Sequence, residues 1–117
     1  MLRLDVSGSL IYPKHIRLVT RSSALSCLEY LNISRCAFDE TSFTEIFGKE
    51  TNLENIEVLG MAELMNFNRS CMKFPSKEKL GNRLKLKVID LRGNKNMRWR
   101  FFASKAALST VMIFAWG

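Results

Sequence analysis

The chain has 117 residues, is 47% hydrophobic and carries a formal net charge of +7. That length allows one domain or part of one, and that apolar content excludes a disordered chain. A single histidine and three cysteines with no C-x-x-C pair exclude a His-based metal cluster and argue against structural zinc.

In chain order, Met1, Leu4, Val6, Ser9 and Ile11 open the sequence with alternating apolar residues, which predicts a strand near 3–6. Successive strand side chains point to opposite faces, so Leu4 and Val6 turn inward and Asp5 outward. Pro13 to Ser23 has loose helical spacing through Ile16, Leu18 and Val19, and Pro13 suits a first helical turn. Leu28, Leu31, Ile33, Cys36 and Phe38 mark a second strand near 30–33. Asp39 then caps the clearest helix, with Glu40 and Glu45 early in it. Phe43, Ile46 and Phe47 form its apolar face, and Gly48 ends it.

Leu53, Ile56, Val58 and Met61 predict a third strand near 55–58. A turn of helix through Leu64, Met65 and Phe67 follows, then a bent loop over 74–82. Leu86, Ile89, Leu91 and Asn94 predict a fourth strand near 88–91, followed by a basic, aromatic helix over 98–107. Leu108, Val111, Ile113 and Trp116 predict a fifth strand near 110–113. The inward set is Leu31, Ile33, Ile56, Val58, Ile89 and Leu91. No apolar segment reaches the roughly 20 residues needed to span a bilayer. No secretory signal is visible.

One spacing recurs five times: L-x-x-L-x-L-x-x-N/C, with Leu28, Leu31, Ile33 and Cys36 as the fullest copy. With Leu4, Leu31, Ile56, Ile89 and Val111 taken as equivalent, the steps are 27, 25, 33 and 22 residues. The chain resembles the leucine-rich-repeat family over essentially its whole length. The Cys36 copy is similar to the cysteine-containing subclass found in intracellular F-box and other cullin-RING substrate receptors. The copies that place Met61, Asn94 and Trp116 at the Cys position depart from that subclass. The resemblance implies an α/β solenoid over 1–117, with about five parallel strands on a concave face and helices or irregular turns on the convex face. The repeats start near 1, 28, 53, 86 and 108, with an insertion within 62–85. Missing polar caps suggest a fragment of a longer array.

No catalytic arrangement is present: His15 has no partner of suitable spacing, and Gly93-Asn94-Lys95-Asn96 is not a phosphate loop. The expectation is therefore a non-enzymatic protein-interaction module without a cofactor. A solenoid offers its partners a rigid concave surface. In the assumed register the central outward row is Asp5, Asn32, Glu57, Asp90 and Met112. One flank is Arg3, Tyr30, Asn55, Val88 and Thr110, and the other is Ser7, Ser34, Leu59, Arg92 and Phe114. The candidate partner-binding residues are Asp5, Tyr30, Asn32, Asn55, Glu57, Leu59, Asp90, Arg92, Met112 and Phe114. The acidic central row implies a protein partner with a basic patch, in the most specific version a substrate of a cullin-RING ubiquitin ligase.

Residues 1–72 carry 7 basic and 9 acidic side chains, whereas 73–117 carry 11 and 2. The alternative is therefore nucleic-acid or anionic-surface binding through 73–105, with Lys77, Lys79, Arg98 and Arg100 foremost. The odd cysteine count, read as reduced thiols, places the protein inside the cell, in the cytoplasm.

Overall fold

The protein is described here from a computed structural model covering residues 2–9, 12–47, 53–71, 85–98, 100–102 and 112–114. Five short strands form one sheet: β1 (Leu2–Asp5), β2 (Leu28–Asn32), β3 (Val58–Gly60), β4 (Val88–Asp90) and β5 (Met112–Phe114). They lie in sequence order, and every neighbouring pair is parallel. Parallel neighbours need long return connections. These carry helix α1 (Pro13–Thr20), helix α2 (Glu40–Phe47) and single 3-10 turns at Ser23–Leu25 and Arg69–Cys71.

The register corrects the expected repeats at two places. Leu31 pairs with Leu59 rather than Ile56, a slip of three residues, and Ile89 pairs with Ile113 rather than Val111, a slip of two. The inward positions are thus Leu4, Leu31, Leu59, Ile89 and Ile113, and the steps between them become 27, 28, 30 and 24 residues. The large third step shrinks accordingly, although residues 72–84 of the expected insertion lie outside the described residues. Leu31, Leu59 and Ile89 are at most 1% exposed. Two positions on, Ile33, Met61 and Leu91 are also buried. Ile56 is buried as well, but just ahead of β3. Val58, expected inside, is half-buried on the outward side, level with Tyr30 and Val88.

The backbone ladder runs on past each strand. Val6, Ile33 and Met61 donate their N–H groups to the carbonyls of Asn32, Gly60 and Asp90. Gly8, Arg35 and Glu63 donate to Ser34, Ala62 and Arg92. The four equivalent residues Gly8, Arg35, Glu63 and Gly93 all adopt a positive φ, between 50° and 74°. Strands β1 to β4 therefore leave the sheet by the same left-handed step.

The Cys/Asn position secures the turn. The Asn94 amide donates to Met61 O at 2.7 Å and Leu91 O at 3.0 Å, while Asn94 Oδ1 accepts the Leu64 N–H at 2.9 Å. Cys36 Sγ donates to Val6 O at 3.4 Å, and burial pushes its thiol pKa up. Leu64, not Met61, occupies this position in the third copy and has no polar atom to offer. The backbone there depends on Asn94 from the next turn.

Behind the sheet, Asp39 caps α2 by accepting the Ser42 N–H at 3.0 Å, as the sequence predicts. Phe43, Ile46 and Phe47 are buried. Phe102, in the segment helical at 100–102, is fully buried against Phe43, Phe47 and Phe67, with ring centroids 5.6–6.2 Å apart. The rest of the expected 98–107 helix lies mostly outside the described residues.

A polar clamp joins the two helices. Glu45 on α2 is buried, and it accepts from Arg21 Nε at 2.8 Å, Arg21 Nη2 at 3.1 Å and the buried Thr20 hydroxyl at 3.2 Å. The Arg21 bonds hold the Glu45 carboxyl below its ordinary 4.5, against the opposing effect of burial. A depressed folded-state pKa contributes stability above the unfolded value, and that contribution is lost as pH falls through the folded one. Glu45→Gln should cost about 2–3 kcal/mol at neutral pH, with a difference from wild type that shrinks below about pH 4.5. Urea unfolding at a series of pH values checks this. Asn94→Ala should cost about 2–4 kcal/mol, because three backbone groups lose their partner. A loss under 0.5 kcal/mol in the same assay would sink that assignment.

Candidate functional site

The outward face of the sheet is the surface on which sequence reasoning placed the binding residues. Its first row is Arg3, Tyr30, Val58, Val88 and, by register, Met112. The central row is Asp5, Asn32, Gly60, Asp90 and, by register, Phe114. The third row is Ser7, Ser34, Ala62 and Arg92, read from the ladder just beyond the strands.

Five of the ten expected site residues hold their predicted rows: Asp5, Tyr30, Asn32, Asp90 and Arg92. The slipped registers move the others. Leu59 is 1% exposed and belongs to the core. Glu57 stands one residue before β3, where it pairs with Lys87 at 3.1 Å. Asn55 is tied into the preceding turn, donating to Ser26 O at 2.8 Å and accepting from Lys85 Nζ at 2.9 Å. Phe114 takes the central position expected of Met112, which moves to the flank. Val58 takes the flank position that had been given to Asn55.

Central-row side chains cap the strand exits. Asp5 Oδ1 accepts the Ser7 N–H at 2.9 Å, Asn32 Oδ1 accepts that of Ser34 at 3.0 Å, and Asp90 Oδ1 accepts that of Arg92 at 3.1 Å. Gly60 has no side chain to do this, and the Ala62 N–H bonds instead to Ser34 Oγ of the neighbouring turn at 2.9 Å. The Asn32 side chain leans over Gly60, where an added Cβ would collide with it.

Charge on the face is balanced. Ser7 holds the Asp5 carboxyl below the usual carboxylate range through its hydroxyl and N–H. Burial raises the pKa of Asp90, but bonds from the Arg92 side chain and N–H outweigh it, for a net lowering. Arg92 grips Asp90 with Nε at 2.8 Å and Nη2 at 2.7 Å. The Arg3 guanidinium lies 4.2 Å above the Tyr30 ring. The described rows thus hold two cations and two anions, not the acidic strip the sequence register implied. Between them Tyr30, Val58 and Val88 form a half-buried apolar strip. The signal that could have found Val58 is the regularity of the steps, since placing Leu59 inward makes the repeat lengths more even.

Away from the strand rows, a cavity of about 800 Å³ is lined by Phe38, Asp39, Asn66, Asn68 and Cys71 among others. The Cys71 thiol there donates to Asn66 O at 3.5 Å. Among the described residues no three His, Cys, Asp or Glu side chains are grouped as metal ligands, and none of the helices is long and apolar enough to cross a membrane. His15 accepts the Tyr12 N–H on Nδ1 at 3.1 Å, within its own helix start. Cys27, Cys36 and Cys71 are not in disulfides. Lys77 and Lys79 lie outside the described residues. No protein-family model, no curated protein and no solved structure matches the chain.

The Asn32–Gly60 contact gives a sign-reversed expectation. Valine ordinarily favours a strand over glycine. Here Gly60→Val should destabilise by about 1–2 kcal/mol, by pushing Asn32 off the Ser34 N–H. A gain in thermal stability would show that Asn32 does not rest on this glycine.

Proposed function

We propose that the chain is a leucine-rich-repeat solenoid and a non-enzymatic interaction module, which docks a protein partner on the outward face of its sheet. The observation that carries this reading is the apolar strip Tyr30–Val58–Val88, set on a backbone whose nearby polar groups are already engaged. A rigid surface with a half-exposed apolar centre and compensated charges at its margins matches the anatomy of a protein interface. The repeated left-handed exits and the Cys36 and Asn94 props support the family assignment.

The partner fitted by this face presents apolar side chains, flanked by groups that can meet Arg3 on one side and Asp90 with Arg92 on the other. Charge contributes orientation more than affinity, because both acids are already bonded within the face. The most specific form of the reading is substrate recognition for an intracellular cullin-RING ligase, and it rests on Cys36 and its surroundings. Cytoplasmic residence belongs to the same proposal.

A photo-crosslinking amino acid at Val58 or Val88 tests the face in living cells, with the exposed Thr44 of α2 as the reference position. Adducts should form from the two valine positions, disappear in Tyr30→Ala chains and survive from about 0.1 to 1 M salt in vitro, where the screening length falls from about 10 to 3 Å. Adducts from Thr44 with none from Val58 or Val88 would refute the assignment. Tight binding to a single-stranded oligonucleotide, lost steeply with salt, would favour the basic region instead.

A further inference from the structure

We propose that the occupant of the outward sheet face is an amphipathic α-helix of the partner protein, laid across the strands. Its apolar residues, spaced i, then i+3 or i+4, then i+7, cover Tyr30, Val58 and Val88. A lysine or arginine beside them meets Glu29. The proposal rests on the reading above that this face docks a protein.

The first observation is the direction of the apolar strip. Tyr30, Val58 and Val88 are register partners on successive parallel strands, so the strip runs across the sheet. Along each strand the next outward position is polar or has no side chain: Asn32, Gly60 and Asp90. Neighbouring strands lie about 4.8 Å apart, so the strip spans about 10 Å. A helix rises about 1.5 Å per residue, and positions i to i+7 span about 10.5 Å on one face. An extended segment repeats its side chains on one face about every 6.7 Å, so three of them span about 13 Å and fall out of step. Turned to run along the strands, an extended segment keeps step but meets only one member of the strip.

The second is backbone chemistry. An extended partner carries an N–H and a C=O at nearly every residue, and each needs a mate once buried. Strands β2, β3 and β4 have a neighbour on both sides, so their backbone groups are already paired. The side-chain oxygens nearest the strip are committed too, Asn32 Oδ1 to the Ser34 N–H and Asp90 Oδ1 to the Arg92 N–H. A helix arrives with its own backbone bonds made.

The third is charge. The residues just before the strip's members are Glu29, Glu57 and Lys87. The ladder aligns them, with the Glu57 N–H on Glu29 O and the Lys87 N–H on Glu57 O, both at 2.8 Å. Lys87 pairs with Glu57 at 3.1 Å, and Arg92 with Asp90 at 2.7 Å. That leaves the Glu29 carboxylate, which forms no ion pair among the described residues. A cation from the partner opposite Glu29 repeats the Lys87–Glu57 pairing one strand over. Opposite charge at the margin of an interface fixes orientation and speeds encounter.

The probe is a phage-displayed library of random peptides of roughly sixteen residues, about four helical turns. Sequences selected on the wild-type protein should carry apolar residues at i, i+3 or i+4, and i+7, with a lysine or arginine near them. They should gain helical circular dichroism on binding. Both readouts use wild-type protein and do not depend on how variants fold. Glu29→Lys should weaken the selected peptides about fivefold at about 0.1 M salt, and much less at about 1 M, where the screening length is about 3 Å. Tyr30→Ala should weaken them at both salt concentrations. Peptides that need Tyr30 but carry apolar residues at every second position, or that ignore Glu29→Lys, would overturn the basic helix and leave the docking face standing. Peptides that ignore Tyr30→Ala and Val88→Ala alike would overturn the face itself, and the helix with it.

Discussion

Everything in this molecule depends on parallel neighbours leaving the sheet by turns of one shape. A parallel strand cannot be closed by a tight hairpin, so each chain segment must turn away from the sheet and return later. Stacking works only if the exits superpose. Here they do, through a left-handed residue four positions after the inward residue of each of β1 to β4: Gly8, Arg35, Glu63 and Gly93. Glycine takes that conformation without strain, whereas Arg35 and Glu63 do so at about 1–3 kcal/mol each. The ladder bonds of Arg35 to Ala62 and of Glu63 to Arg92 hold them there. Their side chains lie over the glycines of the outer turns, Arg35 over Gly8 and Glu63 over Gly93.

The same constraint shapes the outward face. An exit that bends sharply frees an N–H two residues beyond the central row, and Asp5, Asn32 and Asp90 close that gap with their own side chains. The central row is therefore polar for a local reason, and its oxygens are partly committed before any partner arrives. What remains available is the row beside it, where Tyr30, Val58 and Val88 have no comparable duty. Acidic residues on an outward strand face do not by themselves define a binding preference.

Much of the architecture was legible in the sequence. Leu28, Leu31, Ile33 and Cys36 identified β2, and Leu86, Ile89, Leu91 and Asn94 identified β4, because each copy ends in a residue with a polar atom for the turn. Asp39 as a helix cap was equally readable. The third copy was not. Ile56, Val58, Leu59, Met61 and Leu64 are all apolar, so two registers satisfy the alternation, and Leu64 supplies no Asn or Cys to choose between them. A slip of three residues reverses which side chains face inward, and this is why Leu59 was misplaced outside and Val58 inside. The fifth copy failed similarly, since Val111 and Ile113 both suit an inward position. Arg35 and Glu63 gave no glycine signal, so the common exit could be read only at Gly8 and Gly93.

The props between turns also have a direction. Asn94 serves the backbone of the turn before it through Met61 and Leu64, and Cys36 likewise serves Val6. Ser34 reaches forward instead, to Ala62. Peeling the chain from its C-terminal side would thus strip Met61 and Leu64 of their partner at the moment β4 departs, and β3 would be weakened before any force reached it. Peeling from the other side removes β1 and leaves β2 with its own cap, Asn32 to Ser34, still in place. Removing β2 as well strips the Ala62 N–H of Ser34 Oγ, so the turn of β3 leans on both neighbours, on Asn94 from one side and on Ser34 from the other.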